Sequence, residues 1–177
     1  RQGAKFDLVG AGDNIAAPKG RVGVVYKLVA IEEDGKIIPR IKISNDAFKI
    51  VNPGYKRLYR FYDKDTGYAL GDATALYDEV IPEDEFTLID PLNTFNRLTI
   101  TNYTFKELQV PLFSKGKLVY KDMTLKEKQE YCEKQMATMY PEVKRLEKPH
   151  QYYVDQTQTL IDLKKSMIFE HRKQFER

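Results

Sequence analysis

The sequence predicts an α+β fold in which a β-rich middle part precedes two helices. Short apolar runs, separated by turn signals, fill most of residues 22–120, as expected for a sheet of short strands. A helix-start signal at residue 124 and a helical spacing of apolar residues near the end of the chain indicate the helical tail. A short strand and a glycine-bearing loop come before both parts.

The opening stretch KFDLVGAGDNIAAPKGRVGVVYKL predicts a strand over residues 6–9, a loop over 10–20 and a second strand over 22–31. Gly10 and Gly12 stand one residue apart in this loop, so backbone amides there could approach a phosphate with no Cβ in the way. A plain turn between strands is the commoner source of such a pattern, because neither a Lys-Ser/Thr pair nor a third glycine follows.

Two basic residues, Lys19 and Arg21, lie close behind the glycine loop and could neutralise the charge of a bound phosphate. The sequence therefore leaves two interpretations of this loop open, an anion-binding loop and an ordinary turn.

The β-rich part contains two predicted hairpins. Asp34-Gly35 is a pair that favours the tight turn of the first, and Pro39 in its return strand has no backbone donor, which indicates a sheet edge. Residues 64–67 form the turn of the second, and residues 80–86 form an acidic connector. Strands are predicted at 22–31, 37–43, 55–63, 68–79, 96–103, 105–113 and 117–120.

The helical tail begins with a capping box, Thr124 to Glu127, in which each residue satisfies a backbone donor of the other. Apolar residues at helical spacing follow, and Pro141 ends the run. A final helix is predicted from about residue 155, with an apolar side. Cys132 is the single cysteine, which excludes an internal disulfide; a small buried hydrophobe in a reducing compartment is the expected role.

Composition and hydropathy give no sign of a membrane-spanning or strongly basic nucleic-acid-binding protein. The 177 residues are 42% hydrophobic and 31% charged, with a net charge of only +3, which does not by itself indicate a nucleic-acid or membrane partner. No apolar run reaches the roughly 20 residues of a transmembrane helix, and no signal peptide is recognisable. We expect a cytoplasmic protein. The start without Met, in the middle of an element, leads us to expect that part of the protein precedes Arg1.

Three other patterns have ordinary structural interpretations. The segment 52–64 interleaves basic and aromatic residues, as nucleic-acid platforms do, but the same alternation is typical of a half-buried strand. His150 and His171 have no matching nucleophile or acid and are expected to be structural rather than catalytic. The acidic residues lack calcium-loop spacing, so a solvated connector is expected and no metal site is predicted; they are Asp78, Glu79, Glu83, Asp84 and Glu85.

Five segments in series resemble the C-terminal portion of nicotinate phosphoribosyltransferases. They read GAKFDLVGAGDNI, GVVYKLVAI, KIVNPGYKRLYRFYD, VPLFSKGKLVY and RLEKPHQYYVDQTQTLIDLKKSMI, in the order and with gaps similar to those of the family. The resemblance implies that residues 1–30 are the last part of an irregular, TIM-like α/β barrel. Residues 31–120 would then form a β-rich flanking domain, and 121–177 a helical C-terminal extension.

The resemblance also implies an activity. The family's enzymes, which are ATP-dependent and classed as ligases or glycosyltransferases, form nicotinate mononucleotide from nicotinate and phosphoribosyl pyrophosphate in NAD salvage. ATP and Mg²⁺ take part, and the family's phosphorylated histidine lies upstream of the glycine loop, so no catalytic residue is assigned here. The implied partners are the missing N-terminal part of the enzyme and a second subunit, and the fragment alone should be inactive.

Only the phosphate loop carries over residue by residue, at Gly10, Gly12, Asp13 and Asn14. The family usually has Thr where this chain has Asp13, and a carboxylate facing a phosphate is repulsive. Lys19 and Arg21 are the residues expected to compensate. A free-standing β-rich module that binds a phosphate-bearing ligand or a protein partner is the alternative, and a nucleic-acid binder using the segment 55–64 is a third hypothesis.

Overall fold

The computed structural model describes Gly10, Gly12, residues 25–46 and residues 49–175. The strands of this part are β1 (Ala30–Glu33), β2 (Lys36–Pro39), β3 (Lys56–Asp63), β4 (Ala69–Leu76), β5 (Glu85–Ile89), β6 (Arg97–Thr101), β7 (Tyr103–Glu107), β8 (Phe113–Ser114), β9 (Lys117–Leu118) and β10 (Val154–Gln156). Its helices are α1 (Leu125–Ala137) and α2 (Gln158–Phe175). A sheet with two helices confirms the α+β prediction.

Six strands form the main sheet in the order β6-β5-β10-β4-β3-β7. Neighbouring strands are antiparallel except β10, which runs parallel to β4 and pairs Asp155 with Ala73. Strand β10 therefore separates β4 from β5, although those two strands are closer in sequence. Hairpins β1–β2 and β8–β9 form two further sheets of two strands each.

The core on one face of the sheet is aromatic. Tyr59 and Phe61 alternate with polar residues along β3 and are buried, so the half-buried strand predicted for this segment is confirmed. The Phe61 ring stacks on Phe86 at 4.5 Å between centroids and meets the edge of Tyr103 at 5.2 Å. Tyr59 and Phe61 of the segment 52–64 are therefore core residues, and their rings are not available as a base-stacking surface.

Helix α2 packs against the sheet through Leu160 and Ile161, which are both buried. Thr157 lies just before it: its hydroxyl accepts a hydrogen bond from the Leu160 amide and donates one to a Glu79 carboxylate oxygen at 2.9 Å. The helix begins at Gln158 rather than near residue 155, because residues 154–156 pair with β4 and Gln156 also pairs with β5.

Helix α1 differs from its prediction in one respect. The capping box between Thr124 and Glu127 is confirmed. The helix has no buried residue, and Cys132 is exposed, so the prediction that this thiol is buried is wrong. A helical spacing of apolar residues reports which residues share a side, and it does not report whether another element covers that side.

Other differences concern short strands. Strand β1 begins at Ala30, whereas the prediction began at residue 22, and residues 25–29 are not in a strand. Strands β5 and β10 were not predicted, because one begins inside the acidic connector and the other has only three residues. Neither of the two described helices combines the length and the apolar character needed to cross a bilayer. The proposed domain boundaries at 30 and 120 stay a prediction.

Candidate functional site

Only part of the predicted phosphate loop lies within the described residues. Gly10 and Gly12 are exposed, and a Cβ built at either one meets no other described atom within 4 Å. Asp13, Asn14 and the two compensating residues, Lys19 and Arg21, lie outside the described residues. The assignment of the loop to phosphate binding therefore stays a prediction.

The turn that leads into β3 is held by two lysines. The Lys56 ammonium donates to the carbonyl of Asn52 at 2.8 Å, and the Lys164 ammonium donates to the Asn52 side-chain oxygen at 2.9 Å. Burial lowers the pKa of both lysines. The Gly54 amide also donates to the Val29 carbonyl at 2.8 Å, which joins the residue before β1 to the turn that leads into β3.

Gly54 is required by this turn for two reasons. Its φ is +87°, a conformation that L side chains rarely adopt, and a Cβ there would lie 2.8 Å from a methyl carbon of Leu76. The hydrogen bond to Val29 and the lysine contacts of this turn therefore depend on a glycine at position 54.

A buried polar network lies on the sheet face opposite the aromatic core. Arg60 forms a bidentate pair with Asp72, with distances of 2.7 Å from Nε and 2.8 Å from Nη2. The Tyr152 hydroxyl donates to Asp72 Oδ1 at 2.8 Å, and Arg60 Nη1 donates to the Gln135 side chain at 3.1 Å. The network therefore ties β3 and β4 to helix α1 and to the segment before β10.

The electrostatics of this network indicate a structural role. Burial is the largest cause that raises the pKa of Tyr152, followed by its hydrogen bond to Asp72. The hydrogen bond to Asp72 is likewise the largest cause that raises the pKa of the Arg60 guanidinium. Tyr152 therefore stays protonated as a donor, Arg60 stays charged, and neither is suited to proton transfer near neutral pH.

A cleft of about 810 Å³ lies beside this network, between the β5–β6 turn and the segment that enters β10. Residues 90–92, 96–98 and 149–155 line it. Asp90 organises the turn at one end, because its carboxylate accepts from the Leu92 amide at 2.8 Å and from the Asn93 amide at 3.2 Å. These hydrogen bonds, the one from Leu92 above all, lower the pKa of Asp90.

Asp155 lines the same cleft, but its pKa is shifted in the opposite direction from that of Asp90. The residue is only 7% exposed, and burial, followed by repulsion from Asp90, raises the pKa of its carboxyl group. Sequence reasoning misses this residue because YYVDQTQ has no strand signal and the sequence predicts a helix from about residue 155. An acid inside a three-residue strand is recognisable only once the partner strands are known.

The structure also places the other residues singled out in the sequence. His150 is exposed at the cleft, and His171 is half-buried on α2. Glu79 accepts from the Leu76 amide as well as from Thr157, and the other four residues of the acidic connector are exposed. Within residues 25–46 and 49–175, no group of three or more His, Cys, Asp or Glu side chains is arranged to hold a metal ion.

Comparison with known proteins identifies the family. Residues 55–164 match the family model of the nicotinate phosphoribosyltransferase C-terminal domain. A Bacillus subtilis nicotinate phosphoribosyltransferase is 35% identical over 178 residues, covering 99% of this chain and 36% of the relative. The Dictyostelium discoideum enzyme of the same name is 29% identical over 173 residues, covering 92% of this chain and 28% of the relative.

A solved structure agrees with the sequence comparisons. The crystal structure of human nicotinic acid phosphoribosyltransferase has a TM-score of 0.60 at 22% identity, with 75% of this chain and 26% of the human chain covered. This likeness shows the fold. The chain spans about a third of the length of the curated relatives it matches. Its match to the family model extends over more than half of the chain, and the chain therefore belongs to the nicotinate phosphoribosyltransferase C-terminal domain family.

Proposed function

We propose that this chain is the C-terminal part of a cytoplasmic, ATP-dependent nicotinate phosphoribosyltransferase, which makes nicotinate mononucleotide from nicotinate and phosphoribosyl pyrophosphate for NAD salvage. The observation that carries the proposal is the family match over residues 55–164, extended by an alignment that covers 99% of the chain. In this proposal an N-terminal part supplies the rest of an irregular barrel, the nicotinate site and the histidine that ATP phosphorylates, with Mg²⁺ supporting the pyrophosphate.

This chain contributes one wall of the substrate site in the proposal. Gly10, Gly12, Asp13 and Asn14 form the phosphate loop, and Lys19 and Arg21 offset the negative charge of Asp13. The turn around Gly54 holds the segment between the loop and β1, because the Gly54 amide donates to the Val29 carbonyl. The main sheet would thus act as a foundation for the phosphate loop rather than as a catalytic surface.

Exposed apolar side chains support the proposed partners. Tyr26 is 84% exposed and Phe95 is 93% exposed, which is unusual for large apolar residues of a self-sufficient domain. Helix α1 and hairpin β8–β9 also expose apolar residues, among them Phe113 and Leu118. We propose that the remainder of the enzyme and a second subunit of a homodimer cover these surfaces.

The first experiment compares the 177-residue chain with the full-length protein. We expect nicotinate mononucleotide to form only with the full-length protein, in the presence of ATP and Mg²⁺. Turnover of nicotinate by the 177 residues alone would contradict the proposal. Binding of a phosphate ligand without any activity of the full-length protein would favour the free-standing binding module instead.

A glycine substitution tests the phosphate loop in the full-length protein. Gly12→Ala adds a methyl group that meets no described protein atom within 4 Å, so the fold should tolerate it. We expect the KM for phosphoribosyl pyrophosphate to rise about tenfold, which corresponds to about 1.4 kcal/mol, if the amides approach the ligand closely. Gly67→Ala is the matched control. Gly67 has a φ of +71°, which is unfavourable for alanine, so this variant should be less stable but should keep the same KM for phosphoribosyl pyrophosphate.

Charge at the loop gives a second test of the same assignment. Asp13→Thr should lower the KM for phosphoribosyl pyrophosphate, because it removes a repulsive carboxylate and restores a donor that the family usually has. Arg21→Ala should raise it. Unchanged substrate affinity in both variants would remove these residues from the phosphate site.

A further inference from the structure

The cleft beside β10 contains a buried acid that lacks a counter-charge. Asp155 is 7% exposed, so about 93% of its surface is buried. Within the described ranges, no hydrogen bond or ion pair reaches its carboxylate. A carboxylate with little access to water and no partner is costly, so such an arrangement is rare unless a ligand or another group completes it. Because Asp155 lines the cleft, its carboxylate can be reached by a group that enters there.

The nearest acid adds to the negative potential rather than relieving it. Asp90 lines the same cleft and repels the Asp155 carboxylate. Among the described residues that line the cleft, the arginine is held elsewhere: Arg97 donates to the Gln158 side chain at 2.9 Å and to the Thr94 carbonyl at 3.1 Å. The cleft therefore attracts cations near Asp90 and Asp155.

The other walls suit an organic cation better than a metal ion. Tyr153 is 47% exposed at the cleft, and Pro91 and Leu98 also line it. An aromatic face next to carboxylates favours guanidinium and alkylammonium groups, which have apolar parts. Hard metal ions take six or more oxygen ligands, whereas two carboxylates are present here and no cluster of metal-binding side chains occurs among the described residues.

We propose that the cleft between the β5–β6 turn and β10 binds a guanidinium or alkylammonium group through Asp155 and Asp90, with Tyr153 as its aromatic wall. The group comes either from a small-molecule cation or from an arginine or lysine side chain of the protein outside the described residues.

The experiment titrates the full-length protein with agmatine, followed by calorimetry, and uses butylurea as the neutral comparison probe. We expect wild type to bind agmatine and not butylurea, and Asp155→Asn to bind agmatine at least about tenfold more weakly, since charge-assisted hydrogen bonds are lost. Asp78→Asn, which changes an exposed carboxylate of the acidic connector, should leave agmatine binding unchanged. This result identifies a site for free cations.

Thermal unfolding of the same variants separates the two sources of the cation. If wild type does not bind agmatine and Asp155→Asn lowers the unfolding temperature while Asp78→Asn does not, a cationic side chain of the protein already occupies the site. Equal agmatine binding by wild type and Asp155→Asn overturns the proposal. So does an absence of binding together with an unchanged or raised unfolding temperature.

Two further arms complete the test. Binding of Mg²⁺ alone that depends on Asp155, without agmatine binding, would overturn the assignment to an organic cation. If Asp155→Asn does not fold, Tyr153→Leu replaces it: a several-fold weaker agmatine affinity supports the aromatic wall, and an unchanged affinity contradicts the proposal.

Discussion

Two buried carboxylates on neighbouring strands have opposite environments. Asp72 on β4 is 6% exposed and Asp155 on β10 is 7% exposed, and the two strands pair directly with each other. Asp72 accepts two hydrogen bonds from Arg60 and one from Tyr152, whereas no described group donates a hydrogen bond to the Asp155 carboxylate. Equal burial therefore does not imply an equal role. One carboxylate joins parts of the fold, and the other is available to a ligand.

The physical difference is where the compensating charge lies. Arg60 stands opposite Asp72 in the β3–β4 register, so pairing of these two strands places the two side chains side by side. Asp155 lies opposite Ala73 in the β10–β4 register, and Ala73 cannot donate a hydrogen bond from its side chain. Strand register thus decides which acid is satisfied within the domain.

The largest expected effect on stability comes from Asp72→Asn, which removes the charge of the carboxylate that is paired with Arg60. The change leaves the Arg60 guanidinium without its counter-charge, and the Arg60 side chain is only 14% exposed. We expect the free energy of unfolding to fall by about 3 kcal/mol, measured by urea denaturation. Glu107→Gln, which removes an exposed partner of Arg57 at 3.7 Å, is the control and should have a much smaller effect. Similar losses in both variants would contradict the role given to the buried pair.

Tyr152→Phe tests the third member of the network with a smaller change. It removes the hydroxyl that donates to Asp72 and keeps the ring beside Arg60. We expect a loss of about 1.5 kcal/mol in the free energy of unfolding, since hydrogen bonds to charged groups are stronger than neutral ones. Tyr153→Phe, the neighbouring tyrosine outside the network, should cost less. The reverse order would show that Tyr152 acts through packing alone.

Among these variants, we expect Asp155→Asn to change the free energy of unfolding least, and any change to be a gain rather than a loss. In the domain without a bound cation, we expect stability near neutral pH to be unchanged or to rise by about 1 kcal/mol, because a buried charge is removed. Urea denaturation of both proteins in low salt measures the difference. A loss comparable with that of Asp72→Asn would show that Asp155 already has a cationic partner.

The pH dependence of stability sharpens this last prediction. Because the folded state raises the pKa of Asp155, the folded protein holds this proton more tightly than the unfolded chain. Stability from this group therefore decreases as the pH rises from its ordinary value of 3.8 through the raised pKa, and increases as the pH falls. The difference in the free energy of unfolding between wild type and Asp155→Asn should grow as the pH rises above 3.8 and through the raised pKa. A difference that does not depend on pH would contradict the buried, unpaired carboxylate.

Local patterns in the sequence predicted much of the main sheet. The β3–β4 hairpin follows from alternation on either side of a Thr-Gly turn, and the capping box at Thr124 depends on residues three apart. The family resemblance is likewise carried by short segments and is confirmed. These features depend on neighbours in sequence, which is why they could be predicted. Of the predicted phosphate loop, the described residues place only Gly10 and Gly12, and both are exposed.

Only the tertiary structure decided which side chains meet across long separations. Strand β10 becomes a strand because β4 and β5 lie on either side of it, and its own polar sequence does not require this. Cys132 is exposed because no described element covers α1 closely enough to bury any of its residues. Asp72 and Tyr152 are 80 positions apart, and their contact depends on the whole path of the chain. Propensity and periodicity act over a few residues, whereas burial and charge pairing depend on the packing of distant segments, and that packing leaves Asp72 paired and Asp155 open.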